Sequence, residues 1–254
     1  MKKIGLTIAG FDPSGGAGIL LDTRVLKSKE IFPMAIITSI VPQNSEGVSN
    51  IFPLSVKEVK ESFEKIFDDF KISGIKIGVI GSVEIVEVIH SFIKNNKIPI
   101  VYDPVLFSGN NLKLFNNNQF IEKIKREIFK YATLITPNLK ELEILSGSSV
   151  KRERDAIEAG KILANKFKTN ILVKGGHLKG NDFLITNEKI FEFKGEIINK
   201  DVHGTGCFLS SSILAYLIKG YSLEKAVERA KIDVKENIEK SILLGKTNKY
   251  YMEI

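Results

Sequence analysis

The sequence predicts an α/β protein built on a mainly parallel sheet. Short apolar runs, closed by glycine, proline or aspartate, alternate with helically spaced segments along all 254 residues. Such alternation implies right-handed crossovers between parallel strands. No repeat, linker or shift in composition interrupts it, so one domain spanning 1–254 is expected.

Composition narrows the function classes. Hydrophobic residues at 43% and charged residues at 26% describe an ordinary globular chain. The net charge of +7 comes from lysines scattered among glutamates, without a basic block interleaved with aromatics. That pattern gives no expectation of nucleic-acid binding and a mild preference for anionic substrates. A single cysteine rules out an internal disulfide framework and Cys/His metal spacing. The first residues carry no signal-peptide pattern, and no apolar stretch approaches about 18 residues, so a soluble cytoplasmic protein without a membrane partner is expected.

Taken in order, Ile4–Ala9 reads as a buried strand. The small-residue loop Gly10-Phe11-Asp12-Pro13-Ser14-Gly15-Gly16-Ala17-Gly18 and a helix over Ile19–Lys29 follow it. Asp22 falls in the first turns of that helix, near the loop, where an acid is also favourable for the helix alone. Met34–Val41 is a second strand, followed by the polar loop Pro42-Gln43-Asn44-Ser45-Glu46-Gly47. Gln43 there suits a heterocycle, because its amide both donates and accepts, although a plain turn suits the residues too. Ser55-Val56-Lys57-Glu58 is a capping box opening a helix to about Phe70. The strand Ile75–Ile80, a helix ending near Asn95 and the strand Ile98–Tyr102 come next. Asp103-Pro104 then places a carboxylate at a strand's C-terminal edge, where open α/β sheets bind ligands. Residues 107–118 are asparagine-rich and expected to be a mobile loop.

A helix around Ile121–Lys130 leads to the strand Thr133–Thr136. Asn138 with Glu141 then forms an N-cap signature, sound as structure in its own right. Residues 153–168 are helical, and the strand Asn170–Val173 ends in Lys174-Gly175-Gly176-His177, where Lys174 can reach a phosphate. Phe183–Thr186 and Ile190–Phe193 read as a hairpin. His203-Gly204-Thr205-Gly206-Cys207 opens an apolar helix that Gly220 can end. Its first amides suit an anion, and Cys207 beside them is expected to ionise readily. A glycine turn before a buried helix accounts for the same residues. Ser222 starts an amphipathic helix to about Lys240, and residues 245–254 carry no signal.

Asp103, Asn138, Glu141, Lys174 and the 203–207 turn all lie beyond strand C-termini, and so on one rim. Carboxylates, a lysine and an anion-binding helix start suit Mg2+-assisted phosphoryl transfer, and no Walker-type P-loop is present.

The motifs quoted, with Lys76-Ile77-Gly78, Asp103-Pro104-Val105 and Ile135-Thr136-Pro137-Asn138-Leu139-Lys140-Glu141, occur in one order over nearly the whole chain. In this the sequence resembles the hydroxymethylpyrimidine/phosphomethylpyrimidine kinases of thiamine synthesis, a branch of the ribokinase-like superfamily. The resemblance implies a three-layer α/β/α sandwich that uses ATP and Mg2+ to phosphorylate hydroxymethylpyrimidine and then its monophosphate, as a homodimer. It assigns the pyrimidine to Gln43, with Gly10 and Asp22 at the hydroxymethyl end and Val79 and Val105 as walls. Asp103 and Glu141 would organise Mg2+ through water, Asn138 and Thr205 would lie near the nucleotide phosphates, and Lys174 would contact them. Gly204 and Gly206 would form the anion hole, and Cys207 would activate the hydroxyl or sit beside it. Three departures stand out: Val79 in place of a methionine, Leu20-Leu21 in place of Gln-Ala, and a shortened flap over 106–111. A pyridoxal kinase of the same fold and a non-catalytic pyrimidine-binding regulator are the alternatives.

Overall fold

Eight apolar and small residues, Ile4–Phe11, form β1, the strand on which the rest of the sheet is stacked. The computed structural model describes residues 2–107, 114, 118–175, 180–196 and 198–254. The expected loop over 107–118 and flap over 106–111 fall largely outside the described residues, as do Gly176 and His177.

After β1 come α1 (Gly18–Ser28), β2 (Phe32–Ile40), the short strands β3 (Gln43–Asn44), β4 (Gly47–Val48) and β5 (Phe52–Pro53), and α2 (Val56–Asp69). The chain continues through β6 (Gly74–Ile77), α3 (Val83–Ile93), β7 (Ile100–Tyr102), α4 (Asn118–Glu127), β8 (Leu134–Ile135), α5 (Leu139–Ser146) and α6 (Glu153–Phe167). It ends with β9 (Asn170–Val173), β10 (Asp182–Ile185), β11 (Ile190–Phe193), α7 (Thr205–Lys219), α8 (Leu223–Lys240), β12 (Ile242–Leu243) and β13 (Tyr250–Tyr251).

Among the described residues the main sheet has nine strands, in the order β11-β10-β9-β8-β7-β6-β1-β2-β5. From β9 to β2 every pairing is parallel, whereas β10, β11 and β5 run antiparallel at the margins. Side chains alternate between two cores, as the two-residue period of a strand requires. Ile100, Tyr102, Ile135, Ile171 and Val173 face α2 to α6, and Val101, Leu134 and Leu172 face α7 and α8. Both faces are covered, as a parallel sheet demands, and the three-layer α/β/α arrangement follows.

Local chemistry sets the boundaries. Ser55 Oγ accepts from Glu58 N and Glu58 Oε2 accepts from Ser55 N, closing the expected capping box. Ser222 caps α8, and Gly220 ends α7 in the left-handed region at φ 97°. Two expectations change. The polar loop 42–47 is a small hairpin in which Gln43 pairs with Val48 and Asn44 with Gly47, because the Asn44 side chain accepts from Glu46 N and turns the chain. The tail is not featureless: Tyr250–Tyr251 pairs with Ile242–Leu243, and Tyr250 also bridges to Val202.

Candidate active site

A cavity of about 470 Å³ opens at the C-terminal ends of the parallel strands. Gly10 reaches it from β1, Gln43 from the hairpin after β2, Val79 from beyond β6, and Asp103 and Val105 from beyond β7. Asn138 and Glu141 enter from the start of α5, Lys174 from the end of β9, and Gly204, Thr205, Gly206 and Cys207 from the start of α7. Every residue just named was expected at the site, and the fold brings them to one cavity.

Asp22 is the exception. Although it lies one turn into α1, it points away from the loop into the core, where it is 0% exposed and does not line the cavity. Its Oδ2 accepts from Thr7 Oγ1 at 2.6 Å and Lys76 Nζ at 2.8 Å, and its Oδ1 from Ser211 Oγ at 2.8 Å. From this position Asp22 does not reach the cavity where a hydroxymethyl contact was expected, and its three bonds hold Thr7, Lys76 and Ser211 together beneath the floor.

The α7 turn is built by glycine geometry. Gly204 has φ 81°, and a Cβ there would stand 2.0 Å from Gly16 O, so the turn presses directly on the glycine loop after β1. A Cβ on Gly206 would lie 3.3 Å from Lys174 Nζ, which places the first turn of α7 beside that ammonium. His203 Nε2 lies 3.2 Å from Asp12 Oδ2, which also accepts from Ala17 N, joining the two loops through side chains.

Charge is concentrated at the strand ends. Lys174 Nζ donates to Asp103 Oδ1 at 2.8 Å, with Thr136 Oγ1 on the same oxygen and Ser210 Oγ on the other. Burial works against the Asp103 carboxylate, but Lys174 and then Lys76 hold it below the usual carboxylate range. Burial pushes Glu141 up to about 7, with Lys174 opposing and the Asp103 charge adding to the rise. The Glu141 carboxylate accepts from Asn138 N and Leu106 N, and Asn138 Oδ1 accepts from Glu141 N. The capping box is therefore real, and it also fixes both side chains at the cavity wall.

Cys207 departs from expectation in its ionisation. Burial pushes its thiol up to about 11; Lys76 opposes this, while Asp22 and Asp103 add to it. Helix-start amides do not outweigh that, so at neutral pH the ligand-free thiol keeps its proton.

The sequence reading passed over several lining residues. Lys76 is fully buried within the apolar strand β6, and a charge inside such a run was the available signal. Asp12, Phe107, Lys140, Asp201 and Lys249 also line the cavity, Lys249 from the tail, and His203 lines it from the expected 203–207 turn.

A parallel sheet with an acid–lysine pair and a glycine-opened helix at one rim is the arrangement expected of a ribokinase-like small-molecule kinase. The phosphomethylpyrimidine kinase family model matches residues 12–251. The hydroxymethylpyrimidine/phosphomethylpyrimidine kinase of Aquifex aeolicus is 41% identical over 248 residues, 96% of this chain and 97% of that one. A crystal structure of the Clostridium difficile phosphomethylpyrimidine kinase, 32% identical, superposes with TM-score 0.82 over 92% of this chain and 99% of that one. The ADP complex of Bacillus subtilis pyridoxal kinase, 30% identical, gives 0.90 over 100% and 97%. The chain belongs to the phosphomethylpyrimidine kinase family.

Proposed function

We propose that this chain uses ATP to phosphorylate the hydroxymethyl group of 4-amino-5-hydroxymethyl-2-methylpyrimidine, and then phosphorylates the monophosphate to the pyrophosphate, in thiamine biosynthesis. The observation that carries the reading is a single cavity joining Gln43 at the hairpin to the Asp103–Lys174 pair beside the first turn of α7. Val41, Val48, Val79 and Val105 give a planar ring an apolar seat, and Gln43 supplies a donor and an acceptor.

Asp103 and Glu141 fit a hydrated Mg2+. The Asp103 charge adds to the cost of ionising the buried Glu141 carboxylate, and a divalent cation relieves it. Among the described residues no group of three or more His, Cys, Asp or Glu side chains converges on a metal position. Asp103 and Glu141, with water and nucleotide phosphate, would hold the ion, as is usual for Mg2+. When bound, it neutralises phosphate charge.

In the transfer the hydroxymethyl oxygen bonds to the γ-phosphorus, the bond from phosphorus to the β–γ bridging oxygen breaks, and ADP leaves with that electron pair. Lys174 and the amides of the α7 turn hold the charge in transit, Asn138 and Thr205 line the nucleotide phosphates, and the hydroxyl proton passes to the ionised form of Cys207. Because that form is a minor fraction, kcat/KM for the alcohol rises with pH between about 8 and 10. Cys207→Ala is expected to lose about 100-fold in kcat together with that slope, with the KM for ATP retained. A variant with near wild-type turnover and an unchanged slope removes Cys207 from this role.

A second reading, pyridoxal kinase, is favoured by the TM-score of 0.90 to the Bacillus subtilis pyridoxal kinase. Gln43 argues for the aminopyrimidine. Comparing kcat/KM for the two alcohols decides, because discrimination resides in that ratio. The same reading treats residues 1–254 as one kinase domain acting as a homodimer in the cytoplasm. No helix among the described residues is long and apolar enough to cross a membrane. Phe52, 53% exposed on the margin strand β5, is an apolar contact open to a second copy. Light scattering at the mass of one chain would refute the dimer.

A further inference from the structure

We propose that Lys249 is the cation that receives the phosphate of the second acceptor, the monophosphorylated pyrimidine, in place of Asp201. The inference rests on the two-step reading above and adds a residue that distinguishes the two substrates.

Four lysines line the cavity among the described residues: Lys76, Lys140, Lys174 and Lys249. Lys76 and Lys174 are tied to Asp22 and Asp103, carboxylates 0% and 2% exposed, which cannot leave for water. Lys140 stands on the first turn of α5 between Asn138 and Glu141, at the end of the cavity that the reading above gives to the nucleotide. Lys249 differs in its partner. Its Nζ lies 2.5 Å from Asp201 Oδ2, and the lysine side chain is 17% exposed while the aspartate is 71% exposed. An ion pair with one partner mostly in solvent holds weakly, so a phosphate dianion can replace the carboxylate at little cost.

The tail places this ammonium between the two ends of the acceptor site. Lys246 N and Thr247 Oγ1 donate to Ser45, on the hairpin that carries Gln43. One residue beyond Lys249, Tyr250 N donates to Asp201 O and Tyr250 O accepts from His203 N, at the turn that opens α7. Lys249 is thus strung from the ring-recognising hairpin to the anion-binding turn. A monophosphate is one phosphoryl group longer than the alcohol, and its accepting oxygen must still reach that turn. Its ring is therefore set back towards the hairpin, and its phosphate lies in the interval that Lys249 spans.

The test is the ratio of kcat/KM for the alcohol to kcat/KM for the monophosphate, in the wild type, Lys249→Met and Lys249→Arg. Lys249→Met is expected to shift that ratio about 10- to 100-fold against the monophosphate, through KM, as the loss of a hydrogen bond to a charged group. Lys249→Arg should restore most of it. Equal losses on both substrates, or no change in ratio, overturn the inference. If Lys249→Met fails to fold, Asp201→Asn takes its place: it frees the ammonium and should lower KM for the monophosphate several-fold, and an unchanged KM overturns the proposal. If the wild type does not turn over the monophosphate at all, the two-step reading falls instead. Calorimetric Kd values for the monophosphate then decide this inference, a weaker Kd in Lys249→Met supporting it and equal values refuting it.

Discussion

Replacing Lys174 with methionine should lower kcat about 1,000-fold, some 4 kcal/mol of transition-state stabilisation, while the KM for the pyrimidine stays within a few-fold. The ammonium sits where β9 ends, 2.8 Å from Asp103 and beside the first turn of α7. On the proposed reading it meets the γ-phosphoryl group as negative charge spreads over its oxygens, and a point charge aimed there acts more on the transition state than on bound substrate. A fall in kcat could also follow from collapse around Asp103, which would lose one of its cations. Asp103 keeps its bonds from Thr136 and Ser210, however, and Lys76 lies nearby. Thermal unfolding separates the two causes: the account expects a modest change in Tm with the large loss in kcat. Less than a tenfold loss would show that Lys174 does not carry charge in the transfer.

The second large effect is on stability. Lys76→Met strands the Asp22 carboxylate in the core, with only the hydroxyls of Thr7 and Ser211 to solvate it. Removing one partner from a fully buried ion pair costs about 3–5 kcal/mol, or roughly 10 °C in Tm for a chain of this size. The double variant Asp22→Asn with Lys76→Met should recover much of that loss, since it removes the orphaned charge as well. Burial alone would favour neutral Lys76, but Asp22 first, then Cys207 and Asp103, hold its pKa above the ordinary lysine value. A group raised in the folded state contributes its stability below its unfolded pKa, so the pair persists through neutral pH and fails only in strong alkali. The same charge is what opposes burial at the Cys207 thiol, so kcat should fall in Lys76→Met even where the fold survives. An unchanged Tm in the single variant would contradict this account of the pair.

Much of this architecture was legible in the sequence because local chemistry and the tertiary fold agree. Asn170–Val173 forms a strand over the very residues its apolar run marks, and Ser55 with Glu58 and Asn138 with Glu141 close the expected capping boxes. The rim was legible too, because strand C-termini in a parallel sheet converge whatever the side chains are. What failed depended on rotation and on long-range contact. Asp22 lies near the loop along the helix axis, but its place on the helix circumference turns it inward to Lys76, and no local signal reports that partner 54 residues away. The Cys207 thiol was judged from its helix-start position, whereas burial decides its ionisation. Lys249 was invisible because its partner Asp201, and Ser45, which holds the tail at Lys246 and Thr247, come from distant segments that only the fold brings beside the tail.

ADP release by the purified protein tests the central claim most directly, with Mg-ATP and, in turn, hydroxymethylpyrimidine, its monophosphate and pyridoxal. The account predicts rapid turnover of both pyrimidines and a kcat/KM for pyridoxal well below that for the alcohol. Dominant turnover of pyridoxal would contradict it and point to the apolar wall at Val79, and silence on all three would contradict the assignment of the cavity as a phosphoryl-transfer site.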